Sequence, residues 1–405
     1  MLRRGLLIVG IVIALSVAGF FIFGASIAEG LMNQVTPRGI APVSARARAL
    51  HATLQIADMH ADTLLWRRDM LDRGSRGQVD LPRLERGNVA LQVFSSVTKT
   101  PRHQNYDANE GETDNITLLS VAQLQPMRTW GSLIERSLWH AEKLQKAERG
   151  SKGHLRILRS GDDVRRLMVE RLAGSETVGA LLSVEGLHDL EGKAENLDRL
   201  YAAGFRMGGI AHFFDNELGG SIHGLKKGGL TPFGRRMVRA MEARGMIVDV
   251  AHSSHQTVAE VLAMARRPVV SSHGGVQATC KGNRNLSDAE IRGIARTGGV
   301  VGIGYWDAAV CDISPKSIAA AIAHVRDLVG IAHVGLGSDF DGAVTTAFDA
   351  SQLTQITQAL VDRGFSDSEI AAVMGGNVIR LLEQGLQPQS ASRESAPVPP
   401  SADGI

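Results

Sequence analysis

Cysteine is almost missing from this 405-residue chain, which carries only Cys280 and Cys311. Two thiols cannot build a disulfide scaffold, and they lack the C-x-x-C spacing of a zinc knuckle or redox motif, although one bridge is compatible with them. Charge of either sign is not in excess. A formal net charge of +2 leaves no basic stripe, which argues against nucleic acid as a partner. No internal repeat is evident. What remains, 44% hydrophobic and 21% charged residues, describes an ordinary globular body with a large core, as one big domain or two modest ones.

Polar residues are scarce near the start of the chain. Gly5 to Ala25 is a 21-residue run with no charge and Ser16 as its only hydroxyl, long enough as a helix, at about 1.5 Å per residue, to cross a hydrocarbon core of about 30 Å. A core helix would need a polar face that this run lacks. A cleaved signal peptide is the rival reading, because Ser26-Ile27-Ala28 resembles a cleavage site; signal h-regions usually run only about 7 to 15 residues, which favours an uncleaved anchor. Arg3 and Arg4 place the N-terminus in the cytoplasm and the body on the exported, periplasmic or extracellular side, with Arg38 weakening the asymmetry. The expected layout is an anchor or signal peptide over 1–28, a linker over 29–52, a folded body over 53–385 and a disordered Pro- and Ser-rich tail over 386–405.

Within the body, short β-branched or apolar runs alternate with stretches of helical period. Strands are expected at 53–59, 89–96, 178–184, 207–213, 246–251, 268–272, 299–305 and 333–338. Helical connections are expected at Leu197–Ala203, Thr231–Arg244, His255–Arg266, Ser287–Arg296 and Ser314–Val329, and the insert from Lys99 to Gly161 is expected to be mostly helical. Eight such units suggest an α/β fold of the (β/α)8 TIM-barrel type, preceded by the N-terminal transmembrane helix; a doubly wound open sheet is the structural rival. Nearly every strand ends in a metal-type residue: His60 and Asp62, Glu185, His212, His252, His273 and Asp339. In a barrel all of these would meet on one face. His51, His103, His140, His154, His324 and His333 are expected at the surface, with His188, His223 and His255 near the pocket mouth.

From Ile56 to about Glu383 the chain resembles the membrane (renal) dipeptidases, binuclear zinc enzymes of the amidohydrolase-like barrels. The likeness is carried by D-M-H-A-D, S-V-E-G, A-H-F-F-D-N, G-L-T-P-F-G, V-D-V-A-H, S-S-H, N-R-N and G-S-D-F-D-G. It implies two Zn2+ ions per chain, with His60 and Asp62 on one, His252 and His273 on the other, and Glu185 bridging. It further implies that His212 contacts the substrate carbonyl oxygen or tetrahedral intermediate, that Asp339 handles protons, and that Arg284 faces the substrate carboxylate. A Cys280–Cys311 disulfide follows from the same resemblance and from the export signal.

Residue chemistry agrees with this reading. Imidazoles and carboxylates suit zinc at about 2.0 to 2.2 Å, and a carboxylate can join two cations. A pair of zinc ions about 3.5 to 4 Å apart can hold a water as hydroxide and polarise a peptide carbonyl. Asp339 near that water could pass its proton to the leaving amine, so no serine or cysteine nucleophile is required. Ala61, Leu187, the loop between His212 and Thr231, and the long insert depart from mammalian members and leave side-chain preference open. A dipeptide is the expected substrate, the membrane is contacted through the N-terminal helix, and a homodimer is left open. Another binuclear hydrolase acting on a lactone, cyclic amide or ester is the main alternative; a non-catalytic envelope protein is disfavoured by the intact ligand set.

Overall fold

The computed structural model describes residues 2–386. All but the first residue of the expected tail lies outside them, and Leu386 is buried in the body. Nine strands form one parallel sheet: β1 (Ile56–Ala61), β2 (Val89–Val97), β3 (Leu155–Ile157), β4 (Val178–Glu185), β5 (Phe205–Gly209), β6 (Ile247–Asp249), β7 (Val269–Val270), β8 (Val301–Ile303) and β9 (Val334–Leu336). Their order is β7-β6-β5-β4-β2-β1-β9-β8, with β3 off this path on β4. The two ends of the series meet, because Ser271 N donates to Val300 O and Gly302 N to Ser271 O at 3.2 and 2.8 Å. The result is a nearly closed barrel of eight parallel strands with helices around it, and its long strands β2 and β4 are buried along their whole length and mostly apolar because both faces are covered.

Two β1 and β5 boundaries matter for the site. β1 runs on to Ala61 and so carries His60, whereas β5 stops at Gly209 and leaves His212 in the following loop. β3 was not among the expected strands. It lies in the insert, beside Val178–Ala180 of β4, and its three residues are too few to display a period of two. The remainder of the insert is helical at Asn115–Ala122, Arg128–Gly131 and Leu133–Gly150.

The barrel interior is crowded enough to dictate residue type. A Cβ on Gly302 or Gly337 would come within 2.0 Å of the Ser272 carbonyl oxygen, so glycine there lets β7 approach β8 and β9. The helical connections start where their capping residues stand. Thr231, Ser254, Ser287 and Ser314 each accept a bond from the first turn, Glu290 completes a capping box, and Pro232 and Pro315 occupy first-turn positions.

Two histidines expected at the surface are buried instead. His51 Nδ1 meets Thr357 Oγ1 at 2.8 Å and its Nε2 meets Gly87 O at 3.2 Å; His140 Nδ1 meets Ser96 Oγ at 2.8 Å. Both lie on helices whose polar-looking sequence hides a packed face, and a hydroxyl partner makes each burial tolerable.

The N-terminal apolar stretch is helical from Leu2 to Gly19, widens into one π turn at Phe20–Gly24, and continues from Ala25 to Met32. Arg3–Met32 is long and apolar enough to cross a membrane, with a mean hydropathy of 2.9 over its most apolar window. Residues 29–52 follow the body closely. Glu29 pairs with Arg68 at 2.5 Å, Thr36 N donates to Thr346 O at 2.8 Å, and Ser44 caps the helix Ala45–Thr53.

Candidate metal centre

The strand-end residues converge around Glu185, the last residue of β4. Its Oε1 lies 2.9 Å from His252 Nε2, 3.1 Å from His273 Nε2 and 3.6 Å from His60 Nε2, while Oε2 is 3.4 Å from His212 Nε2. His60 Nε2 is also 3.5 Å from Asp62 Oδ1 and 3.9 Å from Asp339 Oδ1. All seven side chains are buried. Three overlapping sets of potential ligand atoms result: His60, Glu185 and His273; Glu185, His212 and His252; and His60, Asp62 and Asp339.

The electrostatics of this cluster call for cations. Burial holds His212, His252 and His273 well below the ordinary histidine range, in the neutral form that ligates metals. Burial also raises Glu185, with Asp62 adding repulsion, and pushes Asp339 up to about 8. His60 behaves differently: burial opposes its protonation, but the charges of Glu185, Asp62 and Asp339 outweigh that and lift it to about 10. His252 Nε2 and His273 Nε2 are only 2.8 Å apart, so at most one of them carries a proton. Both ring nitrogens of His60, Nδ1 of His252 and Oδ1 of Asp62 have no hydrogen-bond partner among the described residues. Carboxylates crowded among neutral imidazoles, with unpartnered buried donor atoms, suit divalent metal.

Two carboxylates that sequence reasoning passed over fix the backbone of the cluster. Asp58 Oδ1 accepts from His60 N at 2.9 Å, and the same carboxylate accepts from Ser338 N at 3.2 Å, which joins β1 to the strand end bearing Asp339. Asp249 repeats the device on β6. Its Oδ1 accepts from Ala251 N and Ser272 N, both at 2.9 Å, while Ser272 Oγ bonds Asp249 and lies 2.9 Å from His273 Nδ1. Each stands two or three residues before a histidine, in D-M-H and D-V-A-H, and that spacing was the available signal. His252 and Asp339 take left-handed backbone, φ 61° and 60°, as do Asp341 and Ala343 at 64° and 61°. Such non-glycine outliers cost on the order of 1 to 3 kcal/mol each and persist where surroundings hold them.

Arg284 is buried, with Nη2 donating to His273 O at 2.9 Å and the guanidinium 5.6 Å from the Trp306 ring centre. It faces a cavity of about 490 Å³ that also reaches Asp62, Glu185, His212, His252 and Asp339. Tyr106, from the insert, lines the same cavity and meets Trp306 Nε1 through its hydroxyl at 3.1 Å. Nothing in the sequence around Tyr106 marked it. Of the three histidines expected at the mouth, His188 and His223 are buried and held neutral to about 3, chiefly by burial; His188 Nε2 meets Thr98 Oγ1 at 3.0 Å and His223 stacks on Phe213 at 4.6 Å. His255 lies apart, on the surface with Glu290 at 2.7 Å. Cys280 and Cys311 are bonded to each other, with Cα atoms 5.4 Å apart.

A parallel eight-stranded barrel with histidines and carboxylates gathered at the strand ends defines a metallohydrolase. Its overall shape is that of solved dipeptidase structures: the probable dipeptidase PvdM from Pseudomonas aeruginosa superposes with a TM-score of 0.70 at 22% identity, covering 84% of this chain and 98% of that one. A metallopeptidase from Rhodobacter sphaeroides, solved with a phosphinate mimic of the dipeptide L-Ala-D-Ala, gives 0.68 at 22% identity over 82% and 99%. In sequence, the chain is 31% identical over 317 residues to dipeptidase aclJ of Aspergillus oryzae, spanning 76% of this chain and 69% of that protein, and 30% identical to dipeptidase verJ of Clonostachys rogersoniana, spanning 75% of each. The membrane dipeptidase family model (peptidase family M19) matches residues 44–395. The chain belongs to that family and is a metallodipeptidase.

Proposed function

We propose that this protein is a membrane-anchored zinc dipeptidase in which His60 and Asp62 would hold one ion, His252 and His273 would hold a second, and Glu185 would contribute to both. The observation that carries this reading is the convergence of four histidines on Glu185, two of them within 3.1 Å of one oxygen. When bound, the two cations would supply an electrophile for the scissile carbonyl and a water of lowered pKa. His212, kept neutral by burial, presents a ring nitrogen to the carbonyl oxygen. Asp339, whose Oδ1 lies 3.9 Å from His60 Nε2 and which lines the cavity, would take a proton from the attacking water and deliver it to the leaving nitrogen. Arg284 receives the C-terminal carboxylate through its planar fork, one residue beyond the scissile bond, which excludes longer peptides. Arg3–Met32 anchors the chain, and the body lies on the exported side.

The test uses the purified full-length chain. About two zinc ions per chain, activity lost to chelator, and strong preference for a dipeptide over its C-terminal amide are expected. Arg284→Ala should reduce that preference by roughly ten- to a hundredfold. Equal turnover of acid and amide by the wild type would move the assignment to a lactone or cyclic-amide hydrolase.

A further inference from the structure

The cavity that holds the metal-type residues has a wall that the barrel does not supply. Phe20, Gly24, Ala25, Ala28 and Met32, from the lower part of the N-terminal helix, line it together with Leu65, Trp66, Ile116 and Leu119 of the body. These helix positions are spaced by one, three or four residues and so form one face. The opposite face carries Ile22, Phe23, Ile27 and Leu31, all between 59% and 68% exposed. Residue size divides in the same way: glycine and alanine toward the middle of the cavity face, large side chains outward.

The helix is fastened in this position by buried polar contacts. Glu29, on the same helix, is buried and pairs with Arg68, whose guanidinium also bonds Asp341. Asn33 Oδ1 accepts from Ala343 N at 2.8 Å, and Gln34 O accepts from Thr346 N at 3.0 Å. The loop gripped in this way, 339–346, begins with Asp339. The cavity therefore runs without interruption from Glu185 and Asp339 to an apolar vestibule closed by the helix.

We infer that the juxtamembrane part of the N-terminal helix completes the substrate pocket and selects dipeptides with a large apolar side chain on the N-terminal residue. The inference rests on the dipeptidase reading above. Arg284 stands in the loop after β7 and fixes the C-terminal residue there, whereas the vestibule lies at the loops following β1, β2 and β9. A dipeptide stretched across the centre then turns its N-terminal side chain toward Leu65, Trp66 and the helix. Extra apolar volume accommodated in such a pocket changes kcat/KM by roughly tenfold or more.

The experiment compares kcat/KM for Phe-Ala, Ala-Phe and Ala-Ala on the full-length chain in lipid nanodiscs, where no detergent competes for the vestibule. Wild type should favour Phe-Ala over Ala-Ala by about tenfold or more. Ala28→Trp, which fills the vestibule, should abolish that preference, and Phe20→Ala, which cannot overfill it, should change the preference while leaving the ratio of Ala-Phe to Ala-Ala as in wild type. Ile27→Trp, on the outward face, should retain the wild-type preference. Preference unchanged in both Ala28→Trp and Phe20→Ala, or a purified chain that begins after Ala28, would overturn the inference while the dipeptidase reading stands. Failure of the wild type to cleave any of the three would overturn both.

Discussion

At the scale of single residues, the division of labour between Asp339 and the histidines gives the sharpest test. Whereas the imidazoles of His252 and His273 lie within 3.1 Å of one Glu185 oxygen, Asp339 Oδ1 is 3.9 Å from His60 Nε2. Its backbone, held at φ 60°, turns the side chain into the cavity instead of along β9. Asp339→Asn keeps the shape and removes proton transfer. Zinc content near wild type with kcat lowered at least about a hundredfold is the expected result, and near-normal kcat would refute the role. His60, Asp62, Glu185, His212, His252 and His273 could be found in the sequence because each stands at or just beyond an apolar run, where a polar residue is conspicuous. Asp58 and Asp249 were passed over although each stands two or three residues before a histidine, because a carboxylate that braces backbone and neighbouring side chains looks like any other buried acid. His51 and His140 erred the other way: burial depends on which face a helix turns inward, and their neighbours did not reveal it.

At the scale of elements, what the sequence displayed were starts and stops. Ser287 with Glu290, and Thr231 and Ser314 each followed by proline, fixed helix starts to within a residue, since capping chemistry is local. Short strands were blurred because β6 to β9 hold only two or three paired residues each, and only partners across the sheet define where pairing ends. The loop after β7 adds a testable element. Cys280–Cys311 spans 31 positions and, together with Asn285 Nδ2 donating to Ala308 O and Ala309 O at 3.0 and 3.1 Å, ties the Arg284 loop to the segment after β8. Closing such a loop restrains the unfolded chain by roughly 3 to 4 kcal/mol. Cys280→Ser with Cys311→Ser should therefore lower stability by that order and speed amide hydrogen exchange over 274–286. KM should rise more than kcat falls, because the guanidinium loses its support while the strand ends do not. Unchanged exchange would show that the hydrogen bonds of Asn285 hold the loop alone.

At the scale of the whole molecule, helix length and the disulfide make the proposed orientation testable. Arg3–Met32 has 30 residues, about 45 Å as a helix, against a hydrocarbon core of about 30 Å. On the proposed anchoring, about 20 residues cross the core and the rest falls within the stretch from Phe20 to Met32 that lines the cavity, which would set the body at the membrane surface with the cavity beside the anchor. Arg3 and Arg4 precede the apolar run, and cytoplasmic retention of such charges sends the following domain outward. A lasting disulfide needs an oxidising compartment, which agrees with the exported side proposed above. In a bacterial host, a β-lactamase reporter joined to the C-terminal end should protect cells from a β-lactam, because the reporter acts only after export. Replacing Arg3 and Arg4 with glutamate should lower that protection, and with it the fraction of chains bonded at Cys280 and Cys311. A fusion that gives no protection while the chain remains membrane-bound, active and free in both thiols would place the body in the cytoplasm and remove the orientation argument at its root.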